Sequence, residues 1–347
     1  MALLVTSCRA VSEDGQNTTV APQPSDSGWA PTKAACANPG ESETCNLPGY
    51  SDRPYDVHVP ASYDVQTAIP VVVAFHGGGG SSKHGAEMSC PDGDSDNSEC
   101  LHGVGSREGF ATVYPNGTGF LPLRRLRTWN AGGNPPEWNC ASGKACSEGV
   151  DDMAFVDALI ADIASWLNVD RNRVYAVGLS NGAAISHRIA CERSEDFAAV
   201  VGVAGSNQFS TGADCVPTRA VGVLQIHGTA DPCWTFETSD SRCLGSDGKK
   251  LGAVESVTDW ANRLGCASDP TEDDLPDRVD DGMHSTMTDW SGCREGVSVQ
   301  LLTVHGGGHT WPNGSPTFDT GRVGLVTRDF GSEVVWEFLG AHTRSDS

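Results

Sequence analysis

The stretch "RVYAVGLSNGAAISHRIACER", residues 173–193, contains the pattern that decides the fold. Its first part, "RVYAVGLS", is an apolar run typical of a strand buried on both faces. Its second part, "NGAAISHRIACER", has the spacing of a helix. Between them, Ser180 lies two residues from Gly178 and two from Gly182. A serine at a helix start is usually an N-cap, but the flanking glycines predict a tighter turn, so the rest of the sequence must decide between a cap and a nucleophile.

Strand and helix patterns alternate on both sides of this stretch. Apolar runs typical of buried strands occur at residues 68–75, 110–115, 197–205, 220–228 and 297–308. Helical spacing occurs from the cap at Asp151 or Asp152 onward and again at residues 253–265 and 331–342. This alternation predicts an α/β fold, a doubly wound and mostly parallel sheet with helices on both faces.

The length and charge of the chain limit the number of domains and the classes of binding partner. The chain has 347 residues, enough for one large α/β domain, and a formal net charge of -22. Such a charge opposes binding to nucleic acid and to anionic membrane surfaces. No apolar run approaches the roughly 20 residues of a transmembrane helix. We expect a signal-like start and disordered linker over 1–35, one folded domain over 36–343, and a tail over 344–347.

The 13 cysteines indicate an exported protein. Apart from Cys8 they fall into neighbours along the chain, several of which bracket loops rich in Gly, Pro, Ser and Asp. Such loops have little core of their own, which favours local disulfides over reduced or metal-binding thiols. No CxxC pair is present, so no zinc site is expected. The six predicted pairs are Cys36/Cys45, Cys90/Cys100, Cys140/Cys146, Cys191/Cys215, Cys233/Cys243 and Cys266/Cys293.

Cys8 ends the stretch "MALLVTSC", which is similar to a bacterial lipobox. The basic region that precedes a lipobox is absent, and the apolar part is only "ALLV". A lipid anchor at Cys8 and a loose thiol in a disordered tail are therefore both open interpretations. The polar, Pro- and Ser-rich residues that follow are typical of a tether.

Two acidic segments closed by cysteines break the alternation. Residues 87–103 and 266–293 are poorly periodic, and we expect both to be surface insertions. The first has Asp92, Asp94 and Asp96 at alternate positions, a spacing that presents oxygens to calcium. It lacks the glycine and closing glutamate of an EF-hand loop, so a solvated acidic loop is the favoured interpretation.

The pentapeptide "GLSNG", residues 178–182, matches the G-x-S-x-G nucleophile elbow. Such an elbow needs an acid and then a base later in the chain. Asp231 follows the strand in "VLQIHGTADPCW", and His309 follows the last strand in "VHGGGHTWP". We expect His309 to take the proton of Ser180 and Asp231 to orient the imidazole. His227 and His305 are interpreted as packed or hydrogen-bonded histidines.

The glycine run in "AFHGGGGSS", residues 74–82, has the position of an oxyanion loop. We expect the backbone N–H of Gly78, with Gly77 or Gly79 as alternatives, to act with the N–H of Asn181 on a developing oxyanion. A phosphate-binding loop is the alternative, but no GK[ST] follows and the surroundings are acidic.

Three tryptophans beside these blocks are candidates for substrate contacts. They could stack on a sugar or a feruloyl ring, or cover a polyester chain, and core packing is the alternative for each. These residues are Trp129, Trp234 and Trp311.

The blocks "HGGGGSS", "TWNAGG", "VDDMAFVDALI", "VYAVGLSNGAAISHRIACE", "FAAVVGVAG", "IHGTADP" and "GGGHTWP" occur in this order. Together they resemble the polyhydroxybutyrate-depolymerase/feruloyl-esterase group of α/β-hydrolases over most of residues 55–340. The resemblance implies the α/β-hydrolase fold and a secreted serine esterase that uses Ser180, Asp231 and His309. It also implies that the Cys191/Cys215 and Cys266/Cys293 pairs are structural. The "HGGGG" form replaces the more usual HGC-x-G, and the acidic insertions are not expected in the group.

The remaining question is which ester is hydrolysed. No appended β-rich binding domain or Thr-rich linker is visible, which favours feruloyl or acetyl-xylan-type esters over a crystalline polyester. A polyester depolymerase is the alternative activity. A catalytically inactive binding module of the same fold is the alternative from a different class, and a serine peptidase is a further one. No cofactor and no metal are expected, and the predicted partner is an ester substrate.

Overall fold

A computed structural model describes residues 30–120, 126–141, 143–243, 246–316 and 318–344. Ten strands form one sheet in the order β1-β2-β4-β3-β7-β8-β9-β14-β13-β12. These strands are β1 (Ser42–Cys45), β2 (Tyr55–His58), β3 (Ile69–Phe75), β4 (Ala111–Pro115), β7 (Val169–Leu179), β8 (Ala199–Val203), β9 (Gly222–Gly228), β12 (Thr271–Asp274), β13 (His284–Trp290) and β14 (Val299–His305). Two short ribbons are formed by β5 (Thr118–Gly119) with β6 (Arg127–Thr128) and by β10 (Ser239–Cys243) with β11 (Ser246–Lys250).

The centre of the sheet is parallel, and both of its margins are antiparallel. Strands β4, β3, β7, β8, β9 and β14 pair in parallel. Strands β1 and β2 continue the sheet antiparallel on one side, and β13 and β12 do so on the other. The central strands have the continuous apolar runs that burial on both faces requires, and every residue of β3 is buried.

Helices cover both faces of the sheet, as predicted. They are α1 (Ser82–Glu87), α2 (Leu101–Glu108), α3 (Gly143–Ser147), α4 (Asp152–Ala164), α5 (Asn181–Glu192), α6 (Ala253–Arg263), α7 (Thr320–Val323) and α8 (Ser332–Gly340). Along β3, Val71 and Val73 pack in one core cluster with residues of α4, α5 and α6. Val72 packs in the other cluster with residues of α2 and α8. Successive side chains of a strand point to opposite faces, so one apolar strand supplies both cores.

One of the two expected surface insertions is part of the sheet. Residues 266–293 include β12 and β13, and β13 pairs with β14 along its whole length. The segment was predicted to lie outside the sheet because its strands are polar. The four residues of β12 are all exposed at the sheet margin, so no apolar alternation marks them.

The other insertion, residues 87–103, packs against the segment that follows His309. The side-chain amide of Asn313 donates to Glu99 at 2.8 Å, and Arg328 lies 3.7 Å from Asp92. A Cβ atom on Gly314 would lie 2.1 Å from the carbonyl oxygen of Met88. The insertion therefore supports the chain segment that follows His309. The favoured interpretation of its aspartates, a solvated acidic loop without calcium, stays a prediction.

Five predicted disulfides are formed: Cys36–Cys45, Cys90–Cys100, Cys140–Cys146, Cys191–Cys215 and Cys266–Cys293. Cys233 is also disulfide-bonded. The side chain of Cys243, its predicted partner, and the whole of Cys8 lie outside the described residues. Across the described ranges, no helix is both long and apolar enough to cross a membrane.

Candidate active site

The turn at Ser180 has the strained geometry that the flanking glycines predict. Ser180 adopts φ 59° and ψ -118°, a conformation that residues with side chains rarely take. A Cβ on Gly178 would lie 2.3 Å from the backbone of Gly182, and one on Gly182 would lie 2.0 Å from the carbonyl oxygen of Phe75. Only glycine fits at either position. The hydroxyl of Ser180 makes no capping hydrogen bond to α5, so this serine is not a side-chain cap.

Asp231 and His309 meet at the same edge of the sheet as Ser180. Asp231 follows β9 and His309 follows β14, at the carboxyl ends of neighbouring parallel strands. His309 Nδ1 lies 2.8 Å from Asp231 Oδ2. Asp231 Oδ1 accepts the backbone N–H groups of Cys233 at 2.7 Å and Trp234 at 2.9 Å. Both oxygens of the Asp231 carboxylate therefore have hydrogen-bond partners. Because Nδ1 of His309 faces this carboxylate, Nε2 is the ring nitrogen that faces away from it.

The Asp231 carboxylate is buried yet remains the charged partner. Burial by itself raises the pKa of Asp231, but the adjacent His309 and the hydrogen bonds to the carboxylate outweigh it, so the pKa is lowered. An ionised carboxylate beside the imidazole favours a positive charge on His309, which a base acquires when it takes a proton.

Ser180 and His309 line one pocket together with the glycine run 77–80. Within the described part of the chain the Ser180 hydroxyl has no hydrogen-bond partner. Catalytic hydrogen bonds are often long before a substrate is bound. The arrangement presents an oxygen nucleophile and an imidazole to the same enclosed volume.

Backbone N–H groups in and beside this pocket are available for an anion. Gly79 donates to the carbonyl of Arg127 at 2.7 Å, and Gly80 donates to that of Gly77 at 3.0 Å. Gly79, one of the alternatives to Gly78, is therefore already engaged. Among the described residues, the N–H groups of Gly77, Gly78 and Asn181 donate to no protein acceptor, so Gly77 stays an alternative to Gly78. Asn181 is the first residue of α5, where backbone N–H groups are left free and the helix dipole favours negative charge.

Trp129 has a different position from the one predicted. It is fully buried, and its indole N–H donates to the carbonyl of His76 at 2.9 Å. The side chain of Asn181 pairs with the Trp129 backbone in both directions, at 2.7 and 3.1 Å. Trp129 therefore connects the glycine loop after His76 to the start of α5, and it offers no face to a substrate.

The other two tryptophans differ from each other. Trp234 is buried in the core, and its indole N–H donates to the carbonyl of Leu251 at 2.7 Å, so it too has a structural position instead of the predicted substrate contact. Trp311 is almost fully buried, but it lines the pocket beside His309. Only Trp311 of the three borders the space that a substrate would occupy.

Several pocket residues were not predicted from the sequence. Phe318 is 42% exposed, and its place a few residues after the "GGGHTWP" block is a signal that could have identified it. The lining includes no Asp, Glu, Lys or Arg in the part of the chain that the structure describes. The unpredicted lining residues are His84, Met88, Leu179, Thr310, Ser315, Pro316, Phe318 and Val323.

Two groups of side chains within the described ranges have metal-like spacing. One comprises Asp231, Cys233 and His309, and the other comprises Cys90, Cys100 and His102. Every cysteine in them is disulfide-bonded, so none offers the thiolate that a metal would bind.

Comparison with known proteins identifies esterases as similar chains. No family model matches the chain. The chain is 27% identical over 296 residues to the putative esterase NocK of Nocardia uniformis subsp. tsuyamanensis, covering 83% of this chain and 79% of that protein. It is 26% identical over 291 residues to the probable feruloyl esterase C of Aspergillus niger, covering 83% and 84% respectively.

A solved structure has the same architecture. The acetyl xylan esterase of Aspergillus awamori superposes with a TM-score of 0.53 and 15% identity, covering 87% of this chain and 99% of that one. The predicted fold and the resemblance to feruloyl esterases are confirmed, whereas the resemblance to polyhydroxybutyrate depolymerases stays a prediction. The chain is thus similar in sequence to esterases, and it has the α/β-hydrolase fold.

Proposed function

We propose that the protein is a serine esterase that hydrolyses carboxylic esters through an acyl-enzyme on Ser180. His309 removes the hydroxyl proton as Ser180 Oγ attacks the ester carbonyl, and Asp231 stabilises the imidazolium. The N–H groups of Gly78 and Asn181 hold the oxyanion. His309 then gives the proton to the departing alcohol. Water, deprotonated by His309, attacks the acyl carbon; the bond to Ser180 Oγ then breaks, the acid leaves, and His309 returns the proton to Oγ.

One observation carries this proposal. The Asp231–His309 hydrogen bond of 2.8 Å lies beside a serine whose backbone is strained and whose hydroxyl is uncommitted. Strained residues persist where the surrounding structure holds them and cluster at functional sites. A purely structural serine at a helix start would cap the helix instead.

For the substrate, we propose feruloyl or acetyl-xylan-type esters. The names of the relatives support this choice: feruloyl esterase C in Aspergillus niger, and an acetyl xylan esterase among solved structures. Among the described residues, the pocket has aromatic and aliphatic side chains and no Asp, Glu, Lys or Arg in its lining, which suits a neutral acyl group. A polyhydroxybutyrate or other polyester chain is also neutral and remains the alternative substrate.

Replacement of the nucleophile tests the activity. Ser180→Ala should lower turnover of nitrophenyl acetate by at least about a thousandfold, because removing the serine of a catalytic triad abolishes the contribution of all three residues. Ser291→Ala is the matched control, since Ser291 is exposed and follows the end of β13 that pairs with the start of β14, whereas His309 follows the end of β14. A folded Ser180→Ala protein with parental turnover would refute the mechanism. A parental protein that binds esters but never hydrolyses them would instead support an inactive binding module.

Rates on a substrate panel test the substrate class. We expect methyl ferulate or acetylated xylan to have a higher kcat/KM than short hydroxybutyrate oligomers. The reverse order would favour the polyester alternative and would leave the Ser180 mechanism intact.

We further propose that the protein is exported. The disulfides support an oxidising compartment, since such bonds are rare in the cytosol. The proposed catalytic domain spans 36–343, preceded by a tether. Mass spectrometry of the protein purified from its native host would distinguish the two interpretations of Cys8, a lipid anchor and a loose thiol.

A further inference from the structure

A chain of buried polar side chains runs beneath Asp231. Its side chains come from α6, α5 and β9, and each is at most 1% exposed. Trp260 Nε1 lies 3.1 Å from His187 Nδ1, and His187 Nε2 lies 2.9 Å from Gln225 Oε1. Gln225 Nε2 lies 3.0 Å from His227 Nδ1, and His227 Nε2 lies 2.6 Å from the carbonyl oxygen of Trp234.

The two ends of this chain fix the direction of every hydrogen bond in it. The indole of Trp260 can only donate, so His187 Nδ1 accepts and its Nε2 carries the proton. Gln225 then accepts through its oxygen and donates through its nitrogen to His227 Nδ1. His227 therefore carries its proton on Nε2, where the carbonyl of Trp234 can only accept. Each link agrees with its neighbours, so only one arrangement of protons satisfies all of them.

The Nε2–H of His227 faces the catalytic carboxylate. His227 Nε2 lies 3.4 Å from Asp231 Oδ2, the same oxygen that contacts His309 at 2.8 Å. The opposite tautomer would place a lone pair of Nε2 against the Trp234 carbonyl and against Asp231 Oδ2. Unpaired buried acceptors are costly, so that tautomer would displace the turn from Asp231 to Trp234.

We propose that His227, held as the Nε2–H tautomer by Gln225, His187 and Trp260, is a positioning residue that orients Asp231 toward His309. This inference rests on the proposed esterase mechanism. His227 acts through the turn: it holds the Trp234 carbonyl, while the Trp234 N–H holds Asp231 Oδ1. The carboxylate is thereby fixed from both of its oxygens.

Burial keeps this histidine neutral beside a carboxylate. Desolvation lowers the pKa of His227, although Asp231 acts in the opposite direction. The titratable groups that face His227 are Asp231 and His309 on one side and, beyond Gln225, His187 on the other. Burial also lowers the pKa of His187, to about 4. Two neutral histidines leave His309 as the group that gains charge during turnover.

Paired substitutions at His227 test the proposal. His227→Phe removes the donor, and kcat on nitrophenyl acetate should fall about tenfold to a hundredfold with KM nearly unchanged, the size of loss that a misplaced catalytic group causes. His227→Gln can present an N–H close to the Nε2 position and should retain kcat within about threefold of the parent, since the orienting bond survives. A folded His227→Phe variant with parental kcat would overturn the proposal.

His342→Phe is the matched control. His342 is also buried, but it contacts Ser298 and Phe338 at the opposite edge of the sheet. Its loss should lower the melting temperature and leave kcat of the folded protein unchanged. If His227→Phe has the same profile, His227 is only structural and the proposal fails.

A spectroscopic measurement avoids the risk that His227→Phe does not fold. In the unmodified protein with ¹⁵N-labelled histidine, the His227 ring should be neutral with its proton on Nε2 at neutral pH. A proton on Nδ1 would overturn the proposal. Failure of the proposed function is distinguishable, because it would appear as activity that survives Ser180→Ala whatever the state of His227.

Discussion

Two buried carboxylates, Asp152 and Asp231, have different partners. Asp152 is completely buried and meets the guanidinium of Arg53 at 2.6 Å, while its second oxygen accepts the N–H of Asn130 at 2.6 Å. Asp231 is buried to nearly the same extent, but its nearest ionisable partner is the imidazole of His309 at the pocket, 2.8 Å away. Both carboxylates also accept backbone N–H groups.

The difference between their partners separates structure from chemistry. A guanidinium stays protonated in proteins, so the Asp152 pair is a fixed charge pair. Arg53 is also stacked 3.5 Å from the ring centre of Phe155, which holds it in place. An imidazole gains and loses a proton near neutral pH. Asp231 can therefore take part in turnover, whereas Asp152 can only support the fold.

The largest expected effect is on catalysis at Asp231. Asp231→Asn should lower kcat by about 10⁴-fold, because an amide no longer selects the imidazole tautomer that accepts the serine proton. The amide is nearly isosteric, so the fold should persist, as circular dichroism would show. Steady-state kinetics on nitrophenyl acetate measure the loss. A folded variant within tenfold of the parent would mean that Asp231 is as structural as Asp152.

The next effect is on stability at Asp152. Asp152→Asn should lower the free energy of unfolding by about 3–5 kcal/mol, the cost of leaving a buried charge without its partner. The folded fraction should retain kcat within a few-fold. Denaturant unfolding and active-site titration separate the two quantities. Combining Asp152→Asn with Arg53→Met removes both charges and should be less destabilising than the single change; an equal or greater loss would contradict the account.

Counted for a single group, the smallest expected effect is the response to mild acid. Burial lowers the pKa of His76 to about 3 and that of His187 to about 4, from an ordinary value of 6.5. The unfolded chain therefore binds protons more readily, and stability falls as pH drops below about 6.5, by up to about 1.4 kcal/mol per pH unit for each such histidine. Asp231 does not contribute to this slope. Because its pKa is lowered in the folded protein, its contribution to stability is lost only when the pH falls below the ordinary pKa of an aspartate.

Denaturant unfolding between pH 7 and pH 5 measures this slope. His187→Gln should reduce it, provided that the variant remains folded. A stability independent of pH over this interval would contradict the neutral state of the buried histidines and would leave the Arg53–Asp152 pair unaffected.

Much of the site could be predicted because it lies at strand ends. Apolar runs identify parallel strands, and the residues that follow them, Ser180, Asp231 and His309, converge at one edge of the sheet. The glycines around Ser180 could be interpreted from the sequence because the constraint on them is local. Backbone segments approach Gly178 and Gly182 too closely for either residue to have a Cβ atom.

Other features depend on long-range contacts that no local pattern encodes. Trp129 lies next to the predicted blocks, but its contacts with His76 and Asn181 exist only after folding. Strands β12 and β13 are polar because they lie at the sheet margin, so their sequence resembles a loop. Helical and strand periodicity report burial, and neither feature has the periodic burial that would identify it.

Reaction with a fluorophosphonate tests the central claim most directly. The probe forms a covalent bond to an activated serine oxygen, and peptide mapping locates it. We predict one adduct per chain, on Ser180, with a strongly reduced labelling rate in Asp231→Asn and a parental rate in Ser291→Ala. An adduct on another residue, or no adduct on protein that is folded, would contradict the account.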